Sequence, residues 1–341
     1  MSRFLDAARL RPTDGTPVWL MRQAGRSLPE YRRLRERWTL ADIVAQADLC
    51  AEVTLQPVRR LGVDAAVMFA DIMLPLRGMG VNFELVDGVG PVIANPIASV
   101  AQIESLRVPD GEEAAPQVIA AVRHVVSESP VPVICFAGAP FTLASYLIEG
   151  RPSRDFLLTK EFMYRDPVAF DRLLGKLGAV MAEYLTAQVR AGAHALQLFD
   201  SWVGALSPSD YRSRVLPHTR RIFENTSGLG VPRVHFGTGT AGMLELIATS
   251  GADVVSLDWR VDLDAGWKRV GHHLGVQGNL DPAALLGPKD AMVESARDVL
   301  RRAGGRVGHV FNLGHGVLPG SSVENLQALV EVVHQGVPAL A

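Results

Sequence analysis

The stretch SPVPVICFAGAPFTLASYLI, residues 129–148, is the longest uncharged run in the chain, and its reading decides the fold. Its length suits a membrane helix. Its breakers argue otherwise. Pro130, Pro132, Gly138 and Pro140 divide the run into a short strand and the start of a helix, because proline removes a backbone donor and both residue types punctuate chain direction. A strand apolar on both faces belongs inside a parallel sheet.

Outward from this stretch the pattern repeats. Short apolar runs occur at VWLM (18–21), AAVMF (65–69), VPVICF (131–136), ALQLF (195–199), PRVHF (232–236), VVSL (254–257), LGVQ (274–277) and HVFNL (309–313). Each is too short for a helix and lacks polar alternation. Helical stretches separate most of them. LADIVAQADLCAEVTLQPVRRLG reads as one, with Thr39 as N-cap and Asp42 three residues on, a variant of the capping box. PVAFDRLLGKLGAVMAEYLTAQVRAG reads as another, opening at Pro167 and closing at Gly192. Eight buried strands alternating with helices fit an α/β fold of the (β/α)8 barrel type better than an open doubly wound sheet. Spacing alone does not show closure, so the doubly wound fold stays open. VNFELVDGVGPVI (81–93) reads as a small hairpin inserted after the second strand, turning near Asp87-Gly88.

The chain has 341 residues, 48% of them hydrophobic, enough for a large core. Length alone suggests about two domains, but α/β barrels run this long as one. With no linker and no composition shift, residues 1–341 are expected to form a single domain. The 34 basic and 36 acidic side chains leave a net charge of -2, against a general nucleic-acid binder. Cys50 and Cys135 have no metal-like or paired spacing and read as free thiols in a reducing compartment. The first residues, MSRFLDAARLRPTDG, contain no apolar run of signal-peptide length. A soluble cytoplasmic protein, with no membrane partner, is the expectation.

Near-neutrality makes one segment conspicuous. RQAGRSLPEYRRLRER (22–37) holds six arginines and two acidic residues. Arg22 and Arg26 flank Gln23, Ala24 and Gly25, and Gly25 permits unusual backbone angles and close approach. Two guanidinium groups on one tight turn suit a carboxylate or phosphate. The competing use is surface ion pairing to Glu30 and Glu36. Arg32, Arg33 and Arg37 read as solvated helix charges, and Arg35 reads equally well either way.

In a barrel, the loops after the strands build the active site. Here those loops are RQAGR, ADIMLP, AGAPFT, DSWVG, GTGT, DWR, GNLDP and GHGV. Asp71 ends its apolar run and suits either a ligand's N–H donors or a helix N-cap. Tyr146 lies in APFTLASYLIEG, where an aromatic at helical spacing is usually core. After LQLF, Asp200 or Ser201 reads as a helix cap or as a site residue. His315 sits between two glycines with no helix face to pack on, which points to a ligand-facing role. GTGT (237–240) is a weak anion cradle, and His272-His273 reads as surface. No nucleophile elbow, phosphate loop or full dinucleotide fingerprint is present. The residues alone therefore give an α/β barrel with an arginine-lined mouth for a small polyanionic substrate and no evident cofactor or metal.

These motifs also resemble the uroporphyrinogen decarboxylase family. The resemblance runs from PVWLMRQAGRSLPEYR to NLGHGVLP and includes FADIMLP, FAGAPFTLASYLIEG, LQLFDSWVG, LDWRVD and VQGNLDP in order. Ser27 departs from it, standing where the family often has an aromatic, with packing at the entrance as the expected consequence. The resemblance implies a single (β/α)8 barrel, a homodimer, and a cofactor-independent carboxy-lyase. That enzyme removes the four acetate carboxyls of uroporphyrinogen III to give coproporphyrinogen III, in haem and chlorophyll biosynthesis. By motif match, Arg22, Arg26 and Arg35 would pair with substrate carboxylates, and Arg22 would also lie beside the reacting acetate. Asp71 would accept the pyrrole N–H groups. Tyr146, Ser201 and His315 would complete the polar pocket, with Tyr146 and His315 counted with Asp71 and Arg22 among the catalytic residues. Phe199 would supply apolar wall, and Gln23, Ala24 and Gly25 backbone. Two rivals stand beside this: a non-catalytic tetrapyrrole-binding protein, and a zinc-dependent corrinoid or thiol methyltransferase of the same superfamily. The second needs a His-x-Cys pair, and in His235-Phe236-Gly237 a glycine takes the cysteine's place.

Overall fold

The computed structural model describes residues 2–86 and 88–336. Its strands are β1 (Ala66–Val67), β2 (Phe83–Val86), β3 (Gly90–Ile93), β4 (Val133–Gly138), β5 (Ala195–Asp200), β6 (Arg233–Gly237), β7 (Val254–Ser256), β8 (Gly275–Gln277) and β9 (His309–Val310). Among the described residues, seven of them form one sheet in the order β1-β4-β5-β6-β7-β8-β9, and each neighbouring pair is parallel. The 129–148 stretch divides as its breakers require, into β4 and the helix Pro140–Glu149. All six residues of β4 are buried, as a strand covered on both faces must be.

The run at 18–21 closes the sheet. Val18 bridges Phe311 in parallel. The Phe311 N–H donates to Pro17 O at 2.8 Å and the Trp19 N–H to Phe311 O at 3.4 Å. On its other side, the Asp64 N–H donates to Val18 O at 2.8 Å. The segment thus lies between the end of β9 and the start of β1 and joins the two edges into a barrel. The Asp64 carboxylate strengthens the seam: Oδ2 accepts the Val18 N–H at 2.7 Å and faces His334 Nε2 at 2.9 Å. Inside the barrel a polar layer is internally bonded. Gln277 accepts from the Trp19 indole at 3.0 Å and donates to Gln197 and Ser256 at 3.1 and 2.9 Å. Helices form the outer layer. Phe141, Phe170, Leu173 and Leu177 are essentially fully buried beneath it, each such side chain contributing about 1.5–3 kcal/mol.

Two helical expectations resolve differently. The helix opening at Pro167 runs to Arg190, and Gly192 follows with φ 109. The stretch after Thr39 is two helices, Leu40–Ala45 and Ala47–Leu61, divided at Gln46. The capping box forms between Thr39 and Asp42. Gln46 is extended, and its side-chain amide donates to Asp42 O at 3.2 Å, serving a carbonyl near the end of the first helix. In the 81–93 segment, β2 and β3 pair antiparallel, Phe83 opposite Ile93 and Val86 opposite Gly90. Asp87, half of the expected Asp87-Gly88 turn, lies outside the described residues. Cys50 and Cys135 are both buried and unpaired. Burial pushes the Cys50 thiol up to about 12 and raises that of Cys135 as well.

Asp64→Ala removes an acceptor that the buried Val18 amide needs. We expect a loss of about 1–3 kcal/mol, read as a lower midpoint in denaturant unfolding at unchanged slope. An unchanged midpoint would mean that the main-chain bonds alone hold the closure.

Candidate active site

The first loop after the closing segment is held in an unusual shape. Gln23 is buried; its carbonyl accepts the Leu20 N–H at 2.8 Å and its amide donates to Ala65 O at 2.9 Å. This side chain ties the loop to the chain leading into β1 and does not line the cavity. Around it, Arg22, Gly25 and Arg26 have φ of 60, 105 and 34. Gly25 takes that conformation freely, whereas each arginine pays about 1–3 kcal/mol for it. The stem of Arg22 rests against Gly316, where a Cβ would collide with it. Ser27, the departure in this motif, is buried and donates to Leu318 O at 3.2 Å.

Arg22 and Arg26 line a cavity at the C-terminal mouth of the barrel. Among the described residues, neither forms an ion pair with a carboxylate of the protein. Glu30, the competing partner, lies 3.9 Å from Arg60 instead. Arg26 stands at the exposed rim of the cavity. Desolvation, then the like charge of Arg22, lowers its pKa. Arg32 braces the loop by donating to Arg26 O at 3.2 Å. Arg35 is not in this cavity. It donates to the Tyr31 hydroxyl at 3.2 Å, and Tyr31 lines both the cavity and the shallow depression around Arg35.

Asp71 is not the N-cap of the helix that follows, a position held by Met73. Its Oδ1 accepts the Met73 N–H at 2.8 Å, starting the turn before the helix Leu74–Gly78. Its side chain also lines the cavity. Desolvation raises its pKa, opposed by the Met73 N–H and the Arg22 charge. Tyr146 projects from the helix Pro140–Glu149, and desolvation followed by the nearby Asp71 charge raises its pKa. Tyr146 is therefore a neutral phenol able to donate. Its ring packs on Trp202 at 3.9 Å between centroids. Phe199 forms an apolar wall with Phe136 and Phe236, at 5.2 and 5.6 Å.

Both glycines beside His315 stand at close approaches. A Cβ at Gly314 would collide with the Trp259 backbone, and one at Gly316 with Arg22. They fix His315 against the cavity, 6.1 Å from the Phe236 ring. Burial first, then the charges of Arg22, Arg26 and Arg260, pushes His315 down to about 4. It is a neutral imidazole at neutral pH.

The structure thus brings Arg22, Ala24, Gly25, Arg26, Asp71, Tyr146, Phe199, Ser201 and His315 around one cavity and leaves Gln23 and Arg35 behind it. Neither Asp200 nor Ser201 caps the short helix after β5, whose N-cap, Trp202, has no side-chain bond. The GTGT turn is no anion cradle: Gly239 gives its N–H to Asp258 at 2.5 Å. His272 and His273 are exposed. Sequence reasoning missed Tyr31, Phe69 and Phe136, apolar lining from three separate segments. Phe69 and Phe136 had only their places in strand runs as a signal, and Tyr31 only its place in the arginine-rich segment. His235, which the methyltransferase reading would need as a zinc ligand, is buried with Nδ1 3.0 Å from Ser250 Oγ. Among the described residues no three His, Cys, Asp or Glu are grouped to hold a metal ion.

The family model described as uroporphyrinogen decarboxylase (URO-D) matches residues 1–336. Proteins named uroporphyrinogen decarboxylase are similar throughout. That of Streptomyces coelicolor is 53% identical over 334 residues, covering 98% of this chain and 94% of its own. That of Thermus thermophilus is 52% identical, covering 97% of each. Among solved structures, a methyltransferase from Methanosarcina mazei superposes with a TM-score of 0.82 over 98% of this chain and 97% of its own. At 20% identity, that likeness shows the fold alone.

The depressed His315 makes a signed prediction. The unfolded chain binds this proton near the ordinary value of 6.5 and the folded one near 4. Stability is therefore lost as pH falls through that window. His315→Gln should lose less stability than the parent across it, measured by urea unfolding. Equal losses would mean that His315 titrates normally when folded.

Proposed function

The chain belongs to the uroporphyrinogen decarboxylase family, and from that premise we propose how its cavity carries the reaction. The protein is a carboxy-lyase of tetrapyrrole biosynthesis. Its proposed substrate is uroporphyrinogen III, which loses the carboxyl group of each of its four acetate arms to give coproporphyrinogen III. One observation supports this reading above the rest. A single cavity joins two arginines, without a carboxylate ion-pair partner among the described residues, to a carboxylate and a neutral phenol. A polycarboxylate with pyrrole N–H groups matches both halves.

Each step exchanges one CO2 for one proton. A proton adds to a pyrrole ring carbon and leaves a cation delocalised over the ring. The bond from the acetate methylene to its carboxylate breaks, CO2 departs, and the electron pair fills the ring cation as an exocyclic double bond. The methylene then takes a proton, and the ring loses its own to restore the pyrrole. The protonated pyrrole is its own electron sink, the service a prosthetic group supplies elsewhere. No cofactor is required in this reading.

The protein's part is to bind, orient and hold charge. Arg22 and Arg26 pair with substrate carboxylates. Arginine, with a pKa of about 12.5 or more, is a poor acid, so Arg22 acts electrostatically beside the reacting acetate. Asp71 accepts pyrrole N–H groups and stabilises the cation, the kind of preorganised charge that usually contributes most. Neutral Tyr146 and His315 donate hydrogen bonds around the reacting arm, Ser201 holds a carboxylate, and Phe199 packs on the macrocycle. Ala24, Gly25 and the backbone of Gln23 shape the anion turn, and Arg35 steers carboxylates from the outer rim. The whole chain acts as one domain, in the cytoplasm and as a homodimer. Among the described residues no helix is long and apolar enough to cross a membrane. The exposed side chains of Leu157, Leu158 and Val168 give a dimer contact apolar surface to cover.

The decisive assay incubates metal-stripped protein with uroporphyrinogen III under reducing, anaerobic conditions, then oxidises the products and separates them by carboxylate number. Stepwise loss of four carboxylates supports the reading; bound but unchanged substrate would leave a tetrapyrrole-binding protein. Asp71→Ala should lower kcat by about 100-fold or more with the fold intact; loss of folding would instead make Asp71 a cap. Arg22→Ala should raise KM and lower kcat, and unchanged kinetics would remove it from the site.

A further inference from the structure

The carboxylate of Asp200 is fully buried at the end of β5, and the mechanism does not use it. Its Oδ1 accepts the Thr142 hydroxyl at 2.9 Å. The same Thr142 oxygen accepts the Trp202 N–H at 3.3 Å. A chain of donors thus runs from Trp202 through Thr142 to Asp200, and adjacent bonds in such a chain reinforce one another at low dielectric. The other oxygen, Oδ2, lies 4.0 Å from His235 Nε2, and both atoms are buried without a hydrogen-bond partner among the described residues. A buried carboxylate so sparsely bonded is costly, and its one full bond goes to Thr142.

This chain of donors adjoins residues that line the cavity. Thr142 and Tyr146 are one helical turn apart on the helix Pro140–Glu149, on the same face. The Trp202 ring lies between Tyr146 at 3.9 Å and Phe156 at 4.9 Å. Ser201, which lines the cavity, sits between Asp200 and Trp202 in sequence. Fixing the end of β5 to Thr142 therefore sets where Trp202 stacks and where the Tyr146 hydroxyl points.

We propose that Asp200 and Thr142 are positioning residues: their hydrogen bond locks Trp202 against Tyr146 and so aims the Tyr146 phenol at the reacting acetate. This rests on the decarboxylase reading of the cavity. Neither residue touches substrate.

The test uses paired variants in the full chain. Thr142→Val removes the hydroxyl and Thr142→Ser keeps it; Asp200→Ala removes the acceptor and Asp200→Asn keeps one. Thr142→Val and Asp200→Ala should lower kcat by about 10- to 100-fold, the scale of a small misplacement, with KM little changed. The serine and asparagine variants should recover most of it. Trp202 emission, isolated by subtracting the spectrum of Trp202→Phe in each background, should change in the first pair and stay parental in the second. A folded Thr142→Val with parental kcat and parental Trp202 emission would overturn the proposal, as would serine failing to rescue both. If Thr142→Val does not fold, the Asp200 pair decides alone. If the parent does not decarboxylate uroporphyrinogen, the functional reading fails, and the emission of Trp202 still tests the link.

Discussion

Everything at the mouth of this barrel depends on where Val18 sits. A short segment with strands on either side must satisfy backbone groups on both edges, and Pro17–Leu20 does so with main-chain bonds toward Phe311 and Asp64. The first loop of the chain, carrying Arg22 and Arg26, is thereby set beside the last, carrying His315. Asn312 fastens the two: its buried Oδ1 accepts the Met21 N–H at 3.0 Å and the Leu313 N–H at 2.8 Å. Residues almost 300 positions apart in sequence become walls of one cavity because the sheet has no open edge at that point.

Within that frame, charge is distributed unevenly. The positive side is at the rim, where Arg22 and Arg26 form no ion pair with a carboxylate among the described residues. Deeper in, burial keeps the Tyr146 phenol and the His315 imidazole neutral and raises the pKa of the Asp71 carboxyl. A polyanion meets its counter-charge before it reaches the groups that would repel it. The same desolvation that unsettles Asp71 gives its charge more effect on a cation formed beside it.

The strand runs were legible in the sequence because burial on both faces leaves no polar alternation, and because prolines and glycines mark their ends. The cavity's polar residues were legible as types at strand ends, and the motif resemblance gave them a common purpose. Other features were not. Whether Asp71 capped a helix or lined a site was undecidable from spacing, since a carboxylate that accepts the Met73 N–H can still belong to the cavity wall. The break at Gln46 depends on a side-chain bond back to Asp42 that no periodicity reveals. Arg35 read equally well as a site residue or a solvated charge, and on its helix it bonds to Tyr31. The aromatic lining from Tyr31, Phe69 and Phe136, and the pairing of Thr142 with Asp200, arise from tertiary convergence, which local pattern does not encode.

The left-handed backbone at Arg22 and Arg26 sets this protein against its own stability. Glycine or asparagine would relax both positions, and any selection for thermal tolerance alone would drift toward them. Holding long charged side chains there is a standing cost, sustained by Gln23, Gly316 and Arg32 around the turn. The loop is thus a place where resistance to heat and capture of an anion pull in opposite directions. A variant library sorted on melting temperature would be expected to erase the arginines first, and one sorted on turnover to keep them at a lower melting point.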